Sequence, residues 1–437
     1  MVRTTSTPKP WRVLMVVENL PVPFDRRVWQ EALALRDFGC DVSVICPKDK
    51  NNTSSYEVLD GITIYRHRLP VQAKGAAGFV LEYGAALFYQ TYLAWRVFLT
   101  RGFDVIHAAN PPDLVFLVAA PFKLFGRKFV FDHHDLVPEL FVEKFKRKGI
   151  GYAVMLAMER LTFALADVVI STNASYRKVA IDRGHMAPDQ VFVVRSGPDI
   201  TRFKPVEPSA EIRARGKYIV GYIGIMGSQD GVDDLLDIIH LYVHDLGFVD
   251  THFLLIGDGP EHQTLEARCQ SLGLSPFVTF TGYLRGAALN QALSSIDIGV
   301  CPDPCNEYTT RCTMNKIMEY MAMGKALVQF DLLEGRYSAE NAAAYARPGD
   351  FRDFADKIRL LVDDEALRHT MGASGYQRLI HHLQWRNEVP ELLAAYQAIG
   401  MDTVPGDQQQ RQEPSGLPVA MQRDGRPTGQ PVAEISR

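Results

Sequence analysis

Paired cysteines are the first thing this chain lacks. Its six cysteines are Cys40, Cys46, Cys269, Cys301, Cys305 and Cys312, and none stand at C-x-x-C spacing. A disulfide scaffold is therefore not expected, and a reducing, cytoplasmic compartment is. Cys301, Cys305 and Cys312 crowd one stretch, but their irregular spacing matches no common zinc pattern, so no metal site is expected. Long apolar runs are missing too. The longest uncharged one, residues 83–95, falls short of the roughly 20 residues that span a bilayer. The first apolar run, residues 13–17, is too short for the core of a secretory signal. Strong charge of one sign is also absent. The formal net charge is -4, which provides no global basic field for nucleic acid, so no nucleic-acid partner is expected.

What is present is alternation. Short buried-strand patterns fall at residues 12–17, 41–45, 62–65, 105–107, 129–131 and 168–170, with helical patterns between most of them. Asp25 reads as the N-cap of a helix that Gly39 ends. A second series falls at residues 218–223, 253–256, 278–280, 298–300 and 326–329. This order predicts an α/β fold of parallel βαβ units. With 437 residues, two domains are the natural expectation. We place a flexible N-terminus at 1–9, a first Rossmann-like domain at 10–200 and a linker at 201–216. A second Rossmann-like domain follows at 217–380. A helix at 381–400 is expected to cross back to the first domain. Residues 401–437 turn polar and rich in Pro, Gln and Gly, the composition of a disordered tail. Two such domains would face each other across a cleft, with ligands at the carboxyl ends of the strands.

Five segments carry polar chemistry at those strand ends. Gly257-Asp258-Gly259-Pro260 lets backbone approach a ligand ahead of a helix, and reads equally as a tight turn. Gly224 to Gly231, including Gly227 and Gln229, offers free N–H groups suited to a diphosphate. In the stretch from Thr313 to Lys325, Thr313 is expected to cap a helix. Lys316 and Glu319, three apart, then share one face. A cation for phosphate and a carboxylate for ribose hydroxyls make a coherent pair. The bland alternative is a surface ion pair worth about 0.2–0.5 kcal/mol. Asp132, His133, His134, Asp135 and Glu139 gather two histidines and three carboxylates beyond one strand. There a His can hydrogen-bond a sugar hydroxyl or meet a developing charge. In Asn19 to Trp29, Arg26 and Arg27 sit in a helical first turn, where cations oppose the dipole. At least one of them therefore needs an anionic partner, with Glu18 or Glu31 the local choice.

Taken together these residues resemble glycosyltransferase family 4, of the GT-B fold, over residues 10–400. The resemblance lies in Gly257-Asp258-Gly259-Pro260, Val278-Thr279-Phe280-Thr281-Gly282, Ile296-Asp297-Ile298-Gly299-Val300 and the run from Met318 to Lys325. Asn19 to Trp29 and Asp132 to Glu139 look like a bacterial subgroup that assembles surface polysaccharides. The resemblance implies transfer of a sugar from a nucleotide diphosphate with retention of configuration, with no cofactor and no essential metal. It implies donor contacts at Gly227, Gln229, Gly257, Gly282, Tyr283, Thr313, Asn315, Lys316 and Glu319. Catalytic roles fall to His134, Asp135, Lys316 and Arg311, and acceptor-side roles to Pro23, Asp25, Arg26 and Glu139. Glu319 matches the second carboxylate of the family's E-x7-E motif, while the first falls at Arg311. The family's Arg and Lys of the first C-domain loop fall near Ile225 and Asp230. Lys316 and Arg311, with Arg26 across the cleft, are the candidates to supply that charge.

The expected partners are a nucleotide-sugar donor and a saccharide or lipid-linked acceptor. Residues 79–95, and the cations Lys144, Lys146, Arg147 and Lys148 ahead of an apolar run, have the composition of a membrane-surface docking face on the inner side of the cell membrane. Two core helices with a solvated charge run fit the same composition. Two other functions stay open: a nucleotide-sugar epimerase on the same scaffold, and a non-catalytic sugar-nucleotide-binding subunit. A dehydrogenase ranks lower, because no G-x-G-x-x-G follows the first strand.

Overall fold

The computed structural model describes residues 10–49, 52–68 and 75–401, without the side chains of 75–82. The expectations for residues 1–9 and 402–437 lie outside the described residues. The first lobe runs β1 (Arg12–Val16), α1 (Arg26–Asp37), β2 (Asp41–Pro47), β3 (Tyr56–Leu59), β4 (Ile62–His67), α2 (Gly75–Thr100) and β5 (Val105–Ala109). It continues with α3 (Val115–Lys123), β6 (Lys128–His133), α4 (Val137–Phe145), α5 (Ile150–Leu165), β7 (Val168–Ser171), α6 (Ala174–Asp182) and β8 (Val191–Val193). The strands form one sheet in the order β3-β4-β2-β1-β5-β6-β7-β8, parallel except where β3 meets β4.

Both faces of this sheet are covered, which is why its strands read as apolar runs. Along β1, Val13 and Met15 enter one core cluster and Leu14 and Val16 the other, the two-residue period of a strand. Asp25 caps α1 as expected, accepting from the Val28 N–H at 3.1 Å.

The second lobe begins after an irregular linker and the short α7 (Ala210–Arg213). It runs β9 (Tyr218–Ile223), α8 (Val232–His240), β10 (Thr251–Ile256), α9 (His262–Ser271), β11 (Val278–Gly282), α10 (Gly286–Ser295) and β12 (Ile298–Cys301). Then follow α11 (Asn315–Ala322), β13 (Ala326–Phe330), α12 (Leu333–Ala339), β14 (Ala343–Ala346), α13 (Phe351–Asp363), α14 (Glu365–Arg378) and α15 (Trp385–Ala398). Its sheet, in the order β11-β10-β9-β12-β13-β14, is parallel throughout. The α15 helix packs on α1, β7 and β8 of the first lobe. There the Tyr396 hydroxyl lies 2.8 Å from Nδ1 of His107. Met401, expected in the tail, is instead buried, with its sulfur 3.7 Å from the Cys40 thiol.

Three strands went unread in the sequence: β3, β8 and β14. All three lie at sheet edges and are three or four residues long. In β14, Ala343-Ala344-Tyr345-Ala346 carries little strand preference, so only its pairing with β13 makes it a strand.

Candidate functional site

The second lobe builds its part of the site from backbone. Gly257, at φ +142°, leaves no room for a side chain: a Cβ there would sit 1.8 Å from the carbonyl oxygen of Gly224. This fastens the two glycine turns to each other. The Met226 N–H donates to Asp258 O at 3.1 Å, and the Gly257 N–H to Gly282 O at 3.0 Å. The diphosphate cradle expected at residues 224–231 is also partly closed, since the Gly227 N–H donates to the Asp230 carboxylate at 3.0 Å. Gln229 beside it is half-buried.

Lys316 and Glu319 stand on α11, and both are buried, so the surface-pair alternative is excluded. Thr313 does not cap this helix. Met314 takes the N-cap position without a side-chain bond, while the Thr313 hydroxyl accepts from Asn173 Nδ2 at 3.0 Å. The reason is geometric: Asn173, at the start of α6, claims both Thr313 and the Arg311 carbonyl. The first N–H groups of α11 thus have no side-chain cap, and Asn315 is exposed.

Lys316 Nζ lies 2.8 Å from Asp303 Oδ1 and 4.9 Å from the centre of the Tyr222 ring. Burial works to lower its pKa, but Asp303, Tyr222, Cys301 and Asp230 outweigh burial and hold it well above the usual lysine range. Burial raises Asp230 to about 6, with Asp303 adding to the rise and Lys316 opposing it. Burial also raises Glu319, against Arg26 and Lys316.

Arg26, expected on the acceptor side, reaches across the cleft. Its Nη1 lies 2.7 Å from Glu319 Oε1. Arg311 pairs with Glu139 at 3.3 Å, and the buried Glu139 also takes both arms of Arg183. Glu139 therefore holds one cation of its own lobe, Arg183, and one of the other, Arg311. Asp135 accepts from the Tyr308 hydroxyl at 3.0 Å, and burial raises its pKa. Tyr283 packs against Phe24 at a tilt, with ring centres 6.2 Å apart and planes at 56°. Pro23, next to Phe24, is exposed.

His134 is held from below. Its Nε2 lies 2.5 Å from Asp132 Oδ2, and its backbone N–H donates to Asn110 Oδ1 at 2.7 Å. Arg27 donates to both oxygens of Asp132, at 3.2 and 2.8 Å, and lies 3.2 Å from Glu31. Burial opposes ionisation of Asp132, but Arg27 and the two histidines around it outweigh burial and hold it well below the usual carboxylate range. Burial and the Asp132 charge push Glu31 well above that range. Ligand atoms of Glu31, Asp132 and His134 come within 4.8 Å of one another, close enough to hold a metal. The guanidinium of Arg27 already supplies their cation. His133 points the other way, into the core against Phe131, Phe163 and Tyr176. Burial lowers its pKa to about 3.

Sequence reasoning missed Asp303, Asn110, Asn173 and Glu334. Glu334 accepts from Ser175 Oγ at 2.6 Å across the lobes. Asn110 and Asn173 stand within two residues of the ends of β5 and β7, the same strand-end signal that singled out His134. Asp303 follows β12 in the same way.

Residues 25–197 match the family described as "Glycosyl transferase 4-like domain" and residues 217–364 that described as "Glycosyl transferases group 1". The chain is 26% identical over 295 residues to sulfoquinovosyl transferase SQD2 of Arabidopsis thaliana, a match covering 65% of this chain and 54% of that protein. The chain thus spans about half the length of that relative. Among solved structures, sucrose-phosphate synthase of Thermosynechococcus elongatus superposes with a TM-score of 0.71 at 18% identity, covering 89% of this chain and 99% of the other. Anabaena HepE in complex with UDP and glucose gives 0.68 at 18% identity, covering 89% and 100%. Two parallel α/β lobes with polar loops meeting at their strand ends define a two-lobed transferase fold of the GT-B type. The chain belongs to the glycosyltransferases of that type.

Proposed function

We propose that this protein is a retaining glycosyltransferase that moves a sugar from a nucleotide-diphosphate sugar to a saccharide or lipid-linked saccharide in surface-polysaccharide assembly. One observation carries the reading: Lys316 and Glu319 are buried one helical turn apart on α11, at the cleft. Glu319 would accept the ribose hydroxyls. Lys316 and the uncapped start of α11 would meet the diphosphate as its charge grows on leaving, and they make an essential metal unnecessary. His134, positioned by Asp132 and Asn110, would face the transferred sugar. The leaving phosphate would take the acceptor proton, so no protein nucleophile is required. The UDP and glucose held by HepE, a protein of the same fold, support a nucleotide-sugar donor.

The test is a thermal-shift screen of uridine and guanosine diphosphate sugars, followed by donor turnover in EDTA. Flat responses to every donor would sink the reading. Donor binding with no turnover on any acceptor would favour the non-catalytic subunit. A new sugar nucleotide formed from donor alone would mean epimerisation.

The outer face of the first lobe supports the lipid-linked acceptor. The α3 helix packs against both α2 and α5, and all three turn large apolar side chains outward. Phe88, Tyr92 and Leu99 are exposed on α2, Leu117 on α3 with Leu124 and Phe125 just beyond it, and Ile150, Val154 and Leu161 on α5. The spacing on α5 puts its three on one helical stripe. Lys144, Lys146, Arg147 and Lys148 lead into that stripe, all exposed. Among the described residues no helix is long and apolar enough to cross a membrane. Apolar stripes rimmed by cations suit the surface of an anionic bilayer. Flotation with phosphatidylglycerol vesicles should carry the protein up, and phosphatidylcholine vesicles should not. Equal flotation with both, or none with either, would refute the anionic surface.

A further inference from the structure

Arg26 is in the wrong place for a simple surface residue. It sits in the first turn of α1, where a cation opposes the helix dipole; the Asp25 carboxylate beside it is engaged in capping the Val28 N–H. Its side chain is 47% exposed, while the Glu319 it meets is 9% exposed. A half-exposed cation therefore covers a buried carboxylate across the cleft. Lys316 lies one turn away from Glu319 on the same helix face, about 5–6 Å between Cβ atoms.

The charge around that point is short of positive groups. Lys316 is bound to Asp303, and Asp230 bears on it as well. The nearby loop from Gly224 to Gly231 carries no Lys or Arg, and Arg311 is paired with Glu139. One buried ammonium thus faces two carboxylates. A diphosphate arriving there needs another cation, and a guanidinium is well shaped for phosphate oxygens. Arg202 also attracts Glu319, more weakly than Arg26 or Lys316.

We propose that Arg26 is a donor-binding residue supplied by the first lobe. In the unliganded protein it rests on Glu319. When ribose hydroxyls take Glu319, Arg26 is released onto the diphosphate, so one charge-assisted contact replaces another and no buried charge is left bare. This assignment rests on the nucleotide-sugar reading of the site.

The two roles of Arg26 have opposite signs for two probes, and titration calorimetry on the full chain separates them. Nucleosides (uridine and guanosine) compete with Arg26 for Glu319. Nucleoside diphosphates (UDP and GDP) gain Arg26 as a partner. In Arg26→Ala, the better nucleoside should bind as tightly as before or up to about fivefold tighter, and its diphosphate about tenfold or more weaker. The preference for diphosphate over nucleoside should collapse accordingly. Arg26→Lys should retain part of that preference.

A preference unchanged within twofold in Arg26→Ala would overturn the proposal. So would an equal loss for both probes, which would mean that Arg26 only holds the lobes together. Arg26→Gln gives the same readout if the Ala variant is poorly folded. Wild type that binds neither UDP nor GDP would instead remove the nucleotide reading itself, whatever Arg26 does.

Discussion

Arg26 and Arg27 are adjacent in sequence and share one helical turn, yet they lead opposite lives. Arg26 is half exposed and holds a single carboxylate of the other lobe. Arg27 is 7% exposed and binds Asp132, Glu31, the Val194 carbonyl and Ser196 within its own lobe. Its pKa is raised because Asp132 and Glu31 more than offset burial. The difference is one of exchangeability. Water can solvate the half-exposed guanidinium of Arg26, so that contact can be given up to a ligand. No solvent reaches Asp132 or Glu31, the carboxylate partners of Arg27, so that contact is part of the fold.

Arg27→Ala is the largest test of this contrast. It strands the ionised Asp132 in a buried site, and breaking such a pair costs about 3–5 kcal/mol. Urea unfolding monitored by circular dichroism should show that loss. A loss below about 1 kcal/mol would mean that water enters the network and that Arg27 is no more fixed than its neighbour. His134 depends on Asp132, so the same variant should also lose transfer activity.

How much of this was legible beforehand follows from the same contrast. The βα alternation, the two lobes and the positions of Lys316, Glu319 and His134 were readable because strand-end residues are local in sequence. The dipole argument found that Arg26 or Arg27 needs an anion, and the local choice, Glu31, is right for Arg27. It could not find Glu319, which lies 293 residues away from Arg26 and becomes a neighbour only once the lobes meet. For the same reason the cap expected at Thr313 was lost to Asn173 of the other lobe. Asp303 also stands at a strand end, but only the fold brings it to Lys316, 13 residues on.

Asp230 sits between the two extremes and supplies a medium test. Its folded pKa of about 6 lies above the usual value of 3.8. The folded state therefore binds more protons than the unfolded chain between those values, and stability falls as pH rises through that window. Asp230→Asn keeps an acceptor for the Gly227 N–H but removes the charge. It should stabilise the protein by about 2 kcal/mol at pH 7.5 and by little at pH 4. Urea midpoints at the two pH values give the comparison. A gain that does not depend on pH would mean that Asp230 is solvated and ordinary.

The smallest expected effect is the most pointed. Arg26→Ala removes an ion pair whose cation is 47% exposed. Screening by solvent limits such a pair to about 0–1 kcal/mol. Burial already raises the pKa of the carboxylate left behind, and loss of Arg26, which lowers it, moves it further the same way, while Lys316 stays beside it. The midpoint of unfolding should therefore move little at neutral pH and less still at high salt, where an exposed pair is screened further. A loss approaching that of Arg27→Ala would erase the distinction between the neighbours. Arg26 would then be a structural clamp, and Glu319 would be too tightly held to receive a ribose.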